Sequence, residues 1–423
     1  MQYNKLKQKL LAITIGTLSL SACFKDSGTR TYKLYTPVYK AAQDVRLAIK
    51  NDVPQPLATI GKMVIYGNYI FINELQKGIH IIDNSNPASP MNKAFITIPG
   101  CENFAIKDNI LYTDCFTDLM AIDITNPAAV VYKNFIKNIF PERRYVNGFT
   151  LYDDQVIVDW KVKDTTVNID VQEGQGMWTR NGYLTPGIAY SSALSSSTPS
   201  IGITGSTSKY AIINNYLYAL NTYQVKAVNI SNNIVPKLDT SINIAGGLET
   251  IFPFQDKLFI GSQSGMFIYS IANGASPVKL GEFKHARLCD PVIADGNTAY
   301  VTLKSSTNAN TICQGFSNQL DVVDITALPQ TKLIKTYNLT HPYGLSKDGK
   351  LLFICDGDAG LKIFDASNNS NLQLLQTIAT GAETLDVIAL NGIAYVTAKD
   401  GLYQYDYKNT NAITLLSKTT LTK

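Results

Sequence analysis

Leu345-Ser-Lys-Asp-Gly-Lys-Leu-Leu-Phe-Ile-Cys-Asp-Gly-Asp-Ala-Gly-Leu-Lys-Ile-Phe-Asp365 holds the local grammar of the whole chain. Asp348-Gly349 is a pair that tight hairpins favour, because such turns need positive φ. The run Leu351-Leu-Phe-Ile354 is apolar without alternation, which marks a strand covered on both faces. Leu361-Lys-Ile-Phe-Asp365 alternates and ends in an acid. An Asn-rich turn follows, and then an outer strand, Leu372-Gln-Leu-Leu-Gln-Thr-Ile378.

The strand ending in Asp serves as a ruler. It recurs as Ile79–Asp83, Leu119–Asp123, Val225–Asn229, Met266–Ser270, Leu320–Asp324, Leu361–Asp365 and Leu402–Asp406. Successive spacings are 40, 106, 41, 54, 41 and 41 residues. A period near 40 built of strands and turns predicts the blades of a β-propeller. Thr166-Val-Asn-Ile-Asp170 falls inside the long gap and fits the ruler. The reading is therefore all-β, with four-stranded antiparallel blades. It counts eight blades, one of them degenerate; seven is the alternative. Because the terminal Asp recurs in every unit, it is read as a turn fastener rather than a catalytic group.

The amino terminus carries an address. Lys5, Lys7 and Lys9 precede an apolar run from Leu10 to Leu20, which has the length of a signal-peptide core and is too short to span a bilayer. Ser21-Ala22-Cys23 then resembles a bacterial lipobox. That resemblance implies cleavage before Cys23, acylation there, and anchorage in the outer membrane without a transmembrane helix. Residues 1–22 are thus expected as signal peptide, 23–56 as lipidated tether and lead-in, and 57–423 as the propeller. Losing the three lysines takes the net charge from +4 to +1. A nearly neutral body does not point to nucleic acid.

The strand-Asp-x-x-Asn-Pro phrases, such as Gly78-Ile-His-Ile-Ile-Asp-Asn-Ser-Asn-Pro87, resemble those of the LVIVD-repeat propeller lipoproteins. The resemblance spans about residues 35–417. It implies a propeller and an envelope lipoprotein, and brings no established activity. Two tracts depart from the pattern. Residues 171–208, with Trp178, Tyr183, Tyr190 and a Ser-rich run, interrupt the third unit, and residues 304–317 lengthen the sixth.

In a propeller, the loops entering each first strand share a face with the loops between second and third strands. That face collects Glu102, Glu249, Asp290, His341, Glu383 and Asp386. Its carboxylates are read three ways: as a ring for a hard cation such as Ca²⁺, as general acids or bases, or as caps on loop amides. No further cofactor or metal site is expected, since the three histidines His80, His285 and His341 do not cluster with cysteines and no HExxH or GxSxG phrase occurs. With Cys23 removed, five cysteines remain. Cys101 with Cys115 and Cys289 with Cys313 are expected as disulfides, leaving Cys355 free. The function expected is a non-enzymatic binding or scaffold module that meets an envelope protein, a glycan or another extracellular ligand. The alternative is a metal-dependent hydrolase or lyase.

Overall fold

The structure, a computed structural model, describes residues 27–146, 149–151, 154–170, 201–244, 246–285, 291–305 and 317–422. Seven four-stranded antiparallel blades form the propeller, comprising residues 63–97, 104–136, 210–243, 248–284, 292–338, 345–378 and 384–420. Each blade is continuous in sequence. The eight-blade count is therefore corrected to its seven-blade alternative. Thr166–Asp170 ends a long strand, Gln155–Asp170, whose sheet partner is Ser27–Ala41 in a separate two-stranded ribbon. The ruler matched a strand that has no blade around it.

Burial explains the continuous apolar runs. Phe353 and Val396 belong to one core between the sixth and seventh blades, and Tyr112 and Leu217 to another between the second and third. A second strand packed between neighbours on both sides has no wet face. The seventh blade closes the ring on the first through Ile388, Tyr395 and Leu402 against Ile65, Ile70 and Ile82. Gln404 Nε2 also donates to Asn84 Oδ1 at 2.7 Å. Among the described residues no strand is shared between these two blades, and side-chain packing makes the closure together with the bond of Thr422 N to Leu57 O at 2.7 Å.

The fastener reading holds in every blade. The terminal side chains of Asp83, Asp123, Asn229, Ser270, Asp324, Asp365 and Asp406 each accept the amide two residues on, at 2.8–3.3 Å. The next amide reaches back to the carbonyl of the first hairpin turn, as Ile124 N does to Asn109 O at 2.8 Å. The side-chain bond and the backbone bond beside it together tie both turns at that end of the blade.

The lead-in carries structure of its own. It contains the helix Ala42–Leu47, whose Arg46 pairs with Asp118 at 2.5 Å. Strand Lys50–Asp52 covers the outer edge of the first blade by pairing with Phe95–Thr97, the usual protection for an open edge. No helix of the described residues is long and apolar enough to cross a membrane.

Candidate functional site at the loop end

Strand register aligns seven positions around the propeller axis. Met63, Phe104, Tyr210, Ile251, Val292, Leu345 and Val387 occupy the same step of their inner hairpins. The residues just before them are Lys62, Asn103, Lys209, Thr250, Pro291, Gly344 and Asp386. This ring borders the channel mouth, and its chemistry differs from blade to blade.

The axis is filled by the chain itself. Ile203–Thr204 adds to the inner strand Met63–Tyr66 of the first blade. Gly202 N donates to Ile106 O of the second at 2.7 Å. Ser206 Oγ accepts from Leu345 N of the sixth at 2.7 Å, and Thr207 Oγ1 donates to Asp386 Oδ2 of the seventh at 3.3 Å. Contact with four inner strands places residues 201–207 in the channel. They climb from the turn end, where Ile201 bridges Lys107, to the mouth, where Lys62 Nζ donates to Thr207 O at 2.5 Å. A Cβ on Gly202 would lie 2.6 Å from Val64 Cγ1, so only glycine lets the segment pass here.

An acid and a base are sealed beneath this plug. Burial pushes the Asp386 carboxyl up to about 8, against the pull of Lys62 and the Val387 amide. Burial likewise drives the Lys62 ammonium well below its usual range, helped by Lys209. Desolvation outweighs pairing for both groups and favours their neutral forms. Of the expected carboxylates, Asp386 is thus the one that burial drives furthest towards its neutral form, and Ser206 and Thr207 cover it.

A second cluster joins the second and third blades. The 3₁₀ turn Pro141–Arg144 brings Arg143 over the Phe140 ring and against Asp114 at 2.9 Å and Glu102 at 3.4 Å. Asp114 is fully buried. Burial raises its carboxyl, while Arg143 and the amides of Glu102 and Asn103 act against that rise. Lys209, half-buried, makes no ion pair among the described residues. Burial and Arg143 lower its ammonium, and Glu102 and Glu249 attract it. The hydroxyl of buried Tyr210 has no hydrogen-bond partner among the described residues.

The third cluster lies between the fifth, sixth and seventh blades. Glu383 accepts from Tyr343 Oη and pairs with Lys399. Burial pushes its carboxyl up, but those two partners outweigh burial and leave it lowered. Lys304 Nζ sits 3.3 Å from the centre of the Tyr343 ring, and burial brings that ammonium down to about 8. His341 is exposed, with its backbone amide bound to Asp356 Oδ1 at 2.8 Å.

The predicted residues therefore separate into three groups rather than one ring: Glu102 with Arg143, Glu383 with Tyr343 and Lys399, and Asp386 with Thr207 and Lys62. Asp290 lies outside the described residues. Among the described residues no group of three or more His, Cys, Asp or Glu is assembled to hold a metal. His80 bonds Glu74 at 3.0 Å and rests on Phe95.

The expected Cys101–Cys115 disulfide is absent, and both are free, buried thiols, as is Cys355. Cys101 Sγ meets Thr113 Oγ1 at 3.1 Å and Asn73 Nδ2 at 3.2 Å, while Cys115 pairs in register with Asp118. Burial pushes the Cys115 thiol up to about 12. Cys289 and Cys313 lie outside the described residues. Sequence reasoning missed Lys62, Arg143, Lys209 and the plug. A signal for the plug exists in Ile201-Gly-Ile-Thr-Gly-Ser-Thr-Ser208, whose small residues suit a narrow channel.

The LVIVD repeat model matches residues 61–96 and 345–380. Those stretches are the first and sixth blades, including the fastener Asp of each. No curated protein matches the chain. Among solved structures, a protein from Lactobacillus plantarum is 13% identical, covering 85% of this chain and 96% of its own, with a TM-score of 0.55. The periplasmic gluconolactonase of Pseudomonas aeruginosa is 11% identical over 85% and 96%, with a TM-score of 0.54. The computationally designed Ika8 protein is 10% identical over 87% and 90%, with a TM-score of 0.52. Identity this low makes each a likeness of fold.

Proposed function

We propose that the protein is an outer-membrane lipoprotein, anchored at Cys23, whose loop end is a rigid, non-enzymatic platform for an envelope protein or glycan. The observation that carries this reading is the filled axis. Residues 201–207 occupy the channel where a small substrate would enter, and the surrounding charges hold one another in place. What the loop end offers is its outward surface of Tyr343, Lys304, His341 and Glu102 on a stiff scaffold. The test is crosslinking in intact cells. A stoichiometric partner is expected, lost in Lys304→Glu with Tyr343→Ser while thermal unfolding stays that of a folded propeller. Recovery of no partner above background overturns the platform reading. Acyl labelling that survives Cys23→Ser overturns the anchor.

One observation favours an enzyme instead. Asp386, poised at about 8 at the mouth, has the proton affinity of a general acid at neutral pH. On that reading the plug must move to admit substrate. A hydrolase or lyase activity that disappears in Asp386→Asn with folding intact would establish it.

A further inference from the structure

Each blade ends in an outer strand, and an uncovered outer edge invites pairing with another strand. The outer strands are Met91–Thr97, Val131–Ile136, Lys237–Asn243, Val278–Lys284, Lys332–Asn338, Gln373–Ile378 and Thr414–Thr420. Six of them carry the lysine that commonly guards such an edge: Lys93, Lys133, Lys237, Lys279, Lys332 and Lys418. The strand of the sixth blade carries none, and no charged residue occurs from Ala366 to Ala382. A shared bulge sharpens the difference. Its extra residue is Lys93 in the first blade and Lys133 in the second, but Leu375 in the sixth. Leu375 is 45% exposed and Leu374 53%. Lys362, opposite Thr377, is turned away to Asp356 Oδ2 at 2.5 Å. The first blade shows how such an edge is filled in this fold. Lys50–Asp52 pairs antiparallel with Phe95–Thr97, just past the bulge. By register the same step of the sixth blade is residues 377–379, and among the described residues no strand pairs there.

We propose that the outer edge of the sixth blade, at Thr377, Ile378 and Ala379, pairs antiparallel with the same edge of a second copy of this chain across a twofold axis. Identical strands paired antiparallel are self-complementary in their backbone bonds, so one surface serves both partners. Charge selects the second copy as the occupant. A twofold axis brings each residue near its own counterpart, so any guarded edge would set lysine against lysine. The sixth edge brings together only leucine, glutamine, threonine, isoleucine and alanine. It also offers no charge by which an acidic or basic partner would be recognised. Exposed Leu374 and Leu375 flank the paired residues and lose water on both copies. The strip is shorter than a standard interface, so the dimer is weak and concentration-dependent. It lies on the rim of the propeller and leaves the loop end free, so it is independent of the platform reading.

The test is sedimentation of lipid-free chain 24–423, which retains every described residue, from about 1 to about 200 µM, the range of a weak interface. A monomer–dimer equilibrium is expected, with amides within residues 377–379 exchanging hydrogen more slowly at the high end. Leu375→Lys with Thr377→Lys gives this edge the guard of its neighbours. The ammonium at 375 then stands by Asp365 as Lys93 stands by Asp83, at 3.7 Å, so folding is preserved. The dissociation constant should rise at least about tenfold, with thermal unfolding unchanged. Sedimentation as a monomer throughout overturns the proposal. A dimer that survives both lysines overturns it as well and places the contact elsewhere. A photoreactive residue in place of Thr377 that captures a different protein in cells, where the purified chain is monomeric, overturns the second copy as occupant and gives the edge to that protein.

Discussion

The two ends of the blades obey different rules. At the turn end one device recurs seven times: an Asp, Asn or Ser that accepts the amide two residues on. At the loop end the seven aligned positions carry lysine, asparagine, threonine, proline, glycine and aspartate, and their side chains are tied by unlike contacts. A repeated fold needs its fastener everywhere, so chemistry shared by all blades is structural. Chemistry present once was placed by something other than the fold.

The sharpest way to break this contrast is to cut a contact that occurs once. Arg143→Ala leaves the carboxylate of Asp114 buried beside Glu102 without its cation. Loss of about 3–5 kcal/mol in urea unfolding is expected, and Asp114→Asn added to it should restore part of that loss. If the single substitution costs under about 1 kcal/mol, the cluster is not a structural tie and the loop end is looser than described. Gly202→Val tests the plug next. Its Cβ would meet Val64 Cγ1 at 2.6 Å and Ile106 Cβ at 3.2 Å. Overpacking of that kind costs about 2–3 kcal/mol. An unchanged midpoint would mean that the axial segment slips out at little cost, which favours the enzyme reading.

The same contrast explains how far the sequence could be read. Apolar periodicity and the Asp ruler are local, so blade class, strand limits and the fastener were legible residue by residue. Thr166–Asp170 misled because the ruler measures a strand's end and not its neighbours. The candidate site depended on contacts between residues more than a hundred positions apart. Lys62 meets Thr207, and Thr207 meets Asp386, with no spacing rule to link them. Asp386 and Glu383 were found because loops of known phase carry them. Arg143 was missed because its 3₁₀ turn follows a blade and belongs to no repeat. The disulfide failed for a related reason. Cys101 and Cys115 are near each other in the chain, yet the Cys101 sulfur meets Thr113 and Asn73 rather than Cys115.

Titration also separates the two ends. Asp386 has its carboxyl raised in the folded state to about 8. A raised carboxyl binds a proton that the unfolded chain has released, so its contribution is full at low pH and fades as pH rises towards 8. Wild-type stability should therefore fall by about 3–4 kcal/mol relative to Asp386→Asn between pH 5 and pH 8 for a shift of this size. The comparison matters because lowered Lys62 gives a slope of opposite sign, and that slope stays in both proteins. Parallel pH profiles for the two would show that Asp386 is not the buried acid described.

The fasteners should behave in the reverse sense, singly and weakly. Thr125 holds Asp123 below its ordinary range through its amide and hydroxyl, and Lys133 adds to the effect. A lowered carboxyl contributes stability above its unfolded value, lost as pH falls through the folded one. Asp123→Ala is expected to cost about 1 kcal/mol at pH 7, a typical value for one hydrogen bond, and progressively less as pH falls through its lowered folded value. The turn end then accounts for acid loss, spread over repeated carboxylates, and the mouth for loss towards alkaline pH, concentrated in one. A fastener whose removal cost as much as Arg143→Ala would erase that distinction, because a device repeated in seven blades should be individually dispensable.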